Sequence, residues 1–181
     1  MIRKLLAYLV IPAYTVLFTR GYGWLTTNFS VIGNLLDKKL SFFIWGVTVG
    51  VYFWLTDRRI KSRLALGPVC SRLIPAALAL LFCAITTPYL PEELPLKSFL
   101  HIIFAFVSTV LLLLYLGTVA FGRWRLEPAR YRPFLAALAA IVLVSAALLA
   151  VAGIISSALE IFLTITTVVL SDRLCGQIAR S

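Results

Sequence analysis

An all-α bundle of six membrane-spanning helices with cytoplasmic N- and C-termini, forming a single integral-membrane domain over 1–181, is the fold class this sequence predicts. Three observations lead there. Of the 181 residues 61% are hydrophobic and only 13% charged, against roughly 45–50% and about 25% in globular proteins, which is more apolar surface than so small a body can hide. The apolar residues gather in six runs, near 5–18, 41–56, 71–87, 98–121, 134–153 and 157–171. The basic residues collect in alternate gaps between those runs.

Backbone crossing lipid must pair its own polar groups, and no ten-residue alternation suggests a barrel, so the runs read as helices. Several fall short of the ~20 residues that cross a ~30 Å hydrocarbon core, which predicts partly polar helix ends or a thinned bilayer. Lys and Arg set the orientation. With the N-terminus inside, Arg3, Lys4, Arg58, Arg59, Lys61, Arg63, Arg72, Arg123, Arg125, Arg130, Arg132, Arg173 and Arg180 are cytoplasmic. Only Arg20, Lys38, Lys39 and Lys97 are outside, and thirteen against four is a strong positive-inside bias.

Arg3 and Lys4 precede the first run as they would in a signal peptide. The run ends in "LFTRGYGW" without a small-x-small cleavage site, which predicts a retained helix. The long segment that follows (19–39) opens with Tyr22 and Trp24, side chains typical of a membrane interface. Its continuation, "LTTNFSVIGNLL", is too apolar for a solvated loop and too polar for a span. Residues 25–36 are expected to order against the bundle, because Leu25, Phe29, Val31, Ile32, Leu35 and Leu36 need cover.

In the second run Gly46 and Gly50 form a GxxxG, which lets a neighbouring backbone approach, within the bundle or at a dimer seam. The proline-rich, acidic loop "PYLPEELPLK" (88–97) reads as a stiff connector. His101, the one histidine, opens the fourth run. It stands 22 residues before Arg123, roughly 33 Å at 1.5 Å per residue, which predicts the outer interface. A lone histidine there is an ordinary hydrogen-bonding residue or a proton switch.

Glu160 interrupts an otherwise apolar stretch, "SSALEIFLTIT" (156–166). From Ser157 to Glu160 the spacing is that of a capping box, with the carboxylate reaching back to the Ser157 N–H. Glu160 is also only 12 residues, roughly 18 Å, from Asp172. That depth predicts a carboxylate below the outer surface, where such groups face partners or a wet cavity.

A net charge of +10 would suit nucleic acid, but the charges sit in short clusters between apolar runs, so no nucleic-acid partner is expected. The basic loops could also draw anionic headgroups. Cys70, Cys83 and Cys175 are expected as free thiols. With one histidine and no CxxC spacing, neither a metal site nor a cofactor is expected.

The order of these features resembles a bacterial family of six-span membrane proteins, distantly like the eukaryotic FGF-receptor-activating and damage-regulated autophagy modulator proteins. The shared features are Pro12 in the first run, an outer segment like "NFSVIGN" running into the second, a histidine opening the fourth ("SFLHIIFAF") and a polar residue early in the sixth. Glu160 departs from the neutral amide or basic neighbour expected there. The resemblance implies a fold and lipid-linked biology, without implying a reaction.

Three functions fit these readings. The first is a non-enzymatic plasma- or inner-membrane protein whose outer-half cavity binds a lipid, an amphiphile or a membrane partner (another protein or a second copy) through Asn28, Ser30, Asn34, His101 and Glu160. The second is a transporter or its substrate-capture subunit. The third is an intramembrane hydrolase, against which stand the single histidine and the lack of any nucleophile–base spacing; no catalytic residue is expected.

Overall fold

The computed structural model describes residues 2–34 and 38–180. Its elements are α1 (Ile2–Leu5), a π-helical turn (Leu6–Val10), α2 (Ile11–Phe18), α3 (Phe29–Asn34), α4 (Lys39–Lys61), α5 (Pro68–Thr86), α6 (Pro95–Trp124), α7 (Pro128–Ala152) and α8 (Ser157–Ile178).

Among the described residues four helices, not six, are long and apolar enough to cross a membrane: α4, α5, α6 and α7. The six-span count is thereby corrected. The first apolar run fails because it is broken. Pro12 lacks an N–H, and its ring crowds the carbonyl four residues back. The chain widens there into the π turn, closed by Ile11 N–H donating to Leu6 O. The last run becomes a helix of 22 residues, but it carries Glu160, Asp172 and Arg173 and turns ten residues into the protein interior.

The four spans outrun their apolar cores, as α4 shows by continuing from the apolar run through Asp57, Arg58, Arg59 and Lys61. Their most apolar stretches are only 39%, 22%, 22% and 6% buried within the protein, in chain order. Side chains such as Leu143 and Val151 on α7 project outward, and leaving them in water would cost roughly 1.5–3 kcal/mol each. This is a multi-pass membrane protein.

Helices α4 to α8 pack in sequence, and α8 returns against α4 and α2. The basic end is held by a core that includes Ile60, Tyr115, Tyr131, Leu174 and Ile178. Two buried ion pairs accompany it: Arg3 Nη2 to Asp172 Oδ1 at 3.2 Å and Lys61 Nζ to Asp57 Oδ2 at 2.6 Å. Lys61 Nζ also donates to Ser71 O at 2.8 Å. Pro75 inside α5 has no N–H to offer the carbonyl four residues earlier, which is Ser71 O, so the lysine takes that place. Cys70, Cys83 and Cys175 are free thiols.

At the opposite end Phe29 stands edge-on to Phe18 (5.6 Å between centroids) and Trp45 (5.0 Å), while Phe42 stacks on Trp45 (6.0 Å). Trp45 Nε1–H donates to Thr15 Oγ1 at 3.0 Å, so α2, α3 and α4 meet around one aromatic cluster. Within the segment 25–36, Phe29 and Ile32 are buried and Leu25 is exposed; Leu35 and Leu36 lie outside the described residues. Gly46 faces α5, where an added Cβ would stand 2.7 Å from Ile85 Cγ2, whereas Gly50 has 3.9 Å to Leu78 and Leu81.

α3 approaches α4 closely at Gly33, where an added Cβ would stand 2.8 Å from Phe42 Cβ. Gly33→Ala should therefore push α3 off α4 and destabilise the protein by about 1–3 kcal/mol. Thermal unfolding in lipid nanodiscs measures this; an unchanged Tm would show that Phe42 yields freely.

Candidate functional site

Proline chemistry places the histidine. Pro88 ends α5: it cannot donate to Ala84 O, and it holds Thr87 extended at ψ 123°. Ala84 O is left with a long bond from Thr87 N–H at 3.2 Å. His101 adds a shorter one, its Nδ1 lying 2.8 Å from Ala84 O and 3.0 Å from Thr87 O. A carbonyl only accepts, so Nδ1 carries the proton and Nε2 keeps its lone pair. Phe42 and Tyr89 close over the ring at 6.3 and 5.5 Å between centroids. Ser98 Oγ accepts from Leu90 N–H at 2.8 Å and fixes the proline-rich loop above it. His101 is 2% exposed, so it is packed inside the bundle.

The free Nε2 meets Ser30. Ser30 Oγ lies 2.6 Å away across 71 residues of sequence, and with the tautomer fixed by the two carbonyls the serine O–H is the donor. Ser30 is carried by α3, which Asn28 starts by accepting from Val31 N–H through Oδ1 at 2.8 Å.

Glu160 holds α3 in place. Its Oε2 accepts from Phe29 N–H at 2.6 Å, one residue before the serine. Two further bonds join the same loop to the start of α8: Ser157 N–H to Thr27 O at 2.6 Å and Ala158 N–H to Trp24 O at 2.8 Å. The geometry differs from the capping box expected between Ser157 and Glu160. Ser156 is the N-cap, accepting from Leu159 N–H at 3.4 Å. Ser157 N–H already serves Thr27, and its hydroxyl is buried without a partner. Glu160 thus caps a different helix, 131 residues away in sequence.

A cavity of about 370 Å³ opens beside these groups and is lined by Asn28, Ser30, His101 and Glu160. Asn34 takes no part in it: its Nδ2 donates back to Ser30 O at 3.1 Å within α3. The rim is apolar, including Ile102, Ile154 and Ile155 at 39%, 43% and 37% exposed. The site therefore joins a polar floor to an apolar, exposed rim. Among the described residues no ion pair involves Glu160, and no group of three or more His, Cys, Asp or Glu side chains is placed to hold a metal ion.

Sequence spacing hid two features. The Ser30–His101 pair has no local signature, although "TTP" before a loop and one histidine after it mark where a weakly bonded carbonyl and its donor could meet. The Phe29 N–H was invisible as a partner for Glu160 because the bond is wholly tertiary.

Phe29 is 1% exposed, so its N–H without an acceptor would cost about 1–3 kcal/mol. Glu160→Ala should lower stability by that amount, whereas Glu160→Gln keeps a carbonyl oxygen on the bond and should lose much less. Thermal unfolding of both variants tests this, and equal losses would mean that the side chain serves by bulk and not as an acceptor. No protein-family model, curated protein or solved structure matches the chain.

Proposed function

We propose that this protein is a membrane-embedded hydrolase of ester-bearing lipids or amphiphiles, taking its substrate from the outer leaflet into the cavity beside Ser30. The observation that carries this reading is the 2.6 Å contact of Ser30 Oγ with a His101 Nε2 whose tautomer is set from behind. It departs from the sequence-based expectation of a protein without catalytic machinery, which rested on the single histidine and the lack of nucleophile–base spacing. The outer-leaflet placement follows from the basic clusters at the opposite end of the bundle, which the positive-inside rule assigns to the cytoplasm of a plasma or inner membrane.

Ser30 Oγ attacks the ester carbonyl as its proton passes to His101 Nε2, and the imidazolium then protonates the leaving alcohol. Water, deprotonated by the same nitrogen, releases the carboxylic acid and restores the serine. The Ala84 and Thr87 carbonyls, at the negative end of α5, stabilise the transient imidazolium. Asn28 Oδ1 is engaged with Val31 N–H, which leaves its Nδ2 hydrogens for the oxyanion. The apolar rim explains why the substrate is an amphiphile rather than a water-soluble ester.

An alkyl fluorophosphonate, which phosphonylates activated serines, tests the reading on protein in nanodiscs. Labelling should map to Ser30, vanish in Ser30→Ala and slow on the order of a hundredfold or more in His101→Gln. Labelling that persists in Ser30→Ala would overturn it.

A further inference from the structure

A second, smaller cavity of about 80 Å³ lies deeper in the bundle, among α4, α5, α6 and α8. It continues the first along the same helix faces. On α6, His101 and Ala105 line the outer cavity, and Ser108, Thr109 and Leu112 line the inner one. On α8, Glu160 lines the outer cavity, and Leu163, Thr164 and Thr167 line the inner one. Steps of three and four residues keep one face of a helix, about one turn or 5.4 Å further in. Trp45 forms part of the inner wall and packs against Phe29, the neighbour of Ser30.

The inner cavity is mostly apolar despite its hydroxyls. Ser108 Oγ donates to Ala77 O, Thr109 Oγ1 to Ala105 O and Thr167 Oγ1 to Leu163 O, and Trp45 Nε1 is bonded to Thr15. Carbon is most of what these residues turn to the void, and Thr164, which forms no side-chain hydrogen bond among the described residues, is the polar exception in its wall. Protein interiors are close-packed, and an empty cavity lowers stability. A mostly apolar void lying one turn beneath a nucleophile is suited to an apolar extension of the substrate.

We infer that the inner cavity receives the acyl chain of the ester that Ser30 attacks, so that the substrate is a long-chain acyl ester and Thr164 and Leu112 set the chain length. This rests on the hydrolase reading and specifies its substrate. The chain runs from the carbonyl at Ser30 down the shared face of α6 and α8, roughly 16 Å from the level of His101 to that of Leu112 at 1.5 Å per residue. The alcohol part of the ester remains at the rim, in the lipid headgroup region.

Two measurements on the full chain in nanodiscs test this. The first is turnover of butyryl, octanoyl and palmitoyl p-nitrophenyl esters. Thr164→Phe, which fills the inner cavity, should lower palmitoyl relative to butyryl turnover by about tenfold or more, and Leu112→Ala, which lengthens it, should shift the preference towards longer chains. The second is photolabelling by a palmitoyl ester carrying a diazirine at the chain end, expected on Leu112 and on 163–167 of α8. An unchanged chain-length ratio with label confined to Ile102, Ile154 and Ile155 would overturn the inference and leave the hydrolase reading standing. Label in the inner cavity with no turnover of any ester would do the reverse. Neither label there nor turnover would remove both.

Discussion

The bond from Phe29 N–H to Glu160 Oε2 is the constraint on which the site depends. Phe29 opens α3, and the first amides of any helix have no partner within it. In water such a donor is solvated, but here it is buried beneath Phe18 and Trp45. A carboxyl oxygen suits it because it accepts the bond in either protonation state. α8 supplies that carboxyl at its own start, where two of its free amides, on Ser157 and Ala158, meet the carbonyls of Thr27 and Trp24. Two helix beginnings thus satisfy one another. The loop between them is fixed with Ser30 at its end, and the hydroxyl reaches His101 only because of that.

Prolines do similar work at both ends of α5. Each removes an N–H that a helical carbonyl would otherwise accept, and in each case a side chain from another element arrives. Pro75 deprives Ser71 O, which receives Lys61; Pro88 leaves Ala84 O a single long bond from Thr87 N–H, to which His101 adds a shorter one. The first substitution ties the basic end of α4 to α5, and Asp57 neutralises the lysine that does it. The second fixes an imidazole tautomer. The same covalent fact, a missing donor, gives a structural lock at one end and a chemically poised ring at the other.

What was legible in the sequence follows from range. Helices α4 to α7 declared themselves through contiguous apolar runs, and the basic clusters marked one end of the bundle, because both signals are local. The span count failed where a local signal misleads. The run before Phe18 is apolar throughout, yet Pro12 breaks its helical register, and α8 is apolar by composition yet faces inward with Asp172 engaged by Arg3. Among the site residues, Asn28, Ser30, His101 and Glu160 were recognisable as polar groups out of place, and all four line one cavity. Asn34 was equally out of place but serves its own helix. Composition tells which groups need partners; the identity of a partner 131 residues away is a property of the packed bundle.

A serine and a histidine in contact do not suffice for chemistry in water, where imidazole tautomers exchange and the hydroxyl rotates away. Here neither freedom remains. Two carbonyls and two aromatic rings hold the imidazole, while α3 holds the serine through a cap at Asn28 and a clamp at Glu160. The usual third member of such a triad is a carboxylate behind the histidine, which in this setting would bury a charge at a cost of several kcal/mol. Carbonyl dipoles at the end of α5 orient the ring without that cost. Glu160 stands instead across the cavity, bonded to the amide next to Ser30. On the proposed reading, a lipid-facing enzyme keeps the orienting group neutral and places its one carboxyl where it organises the backbone that presents the serine.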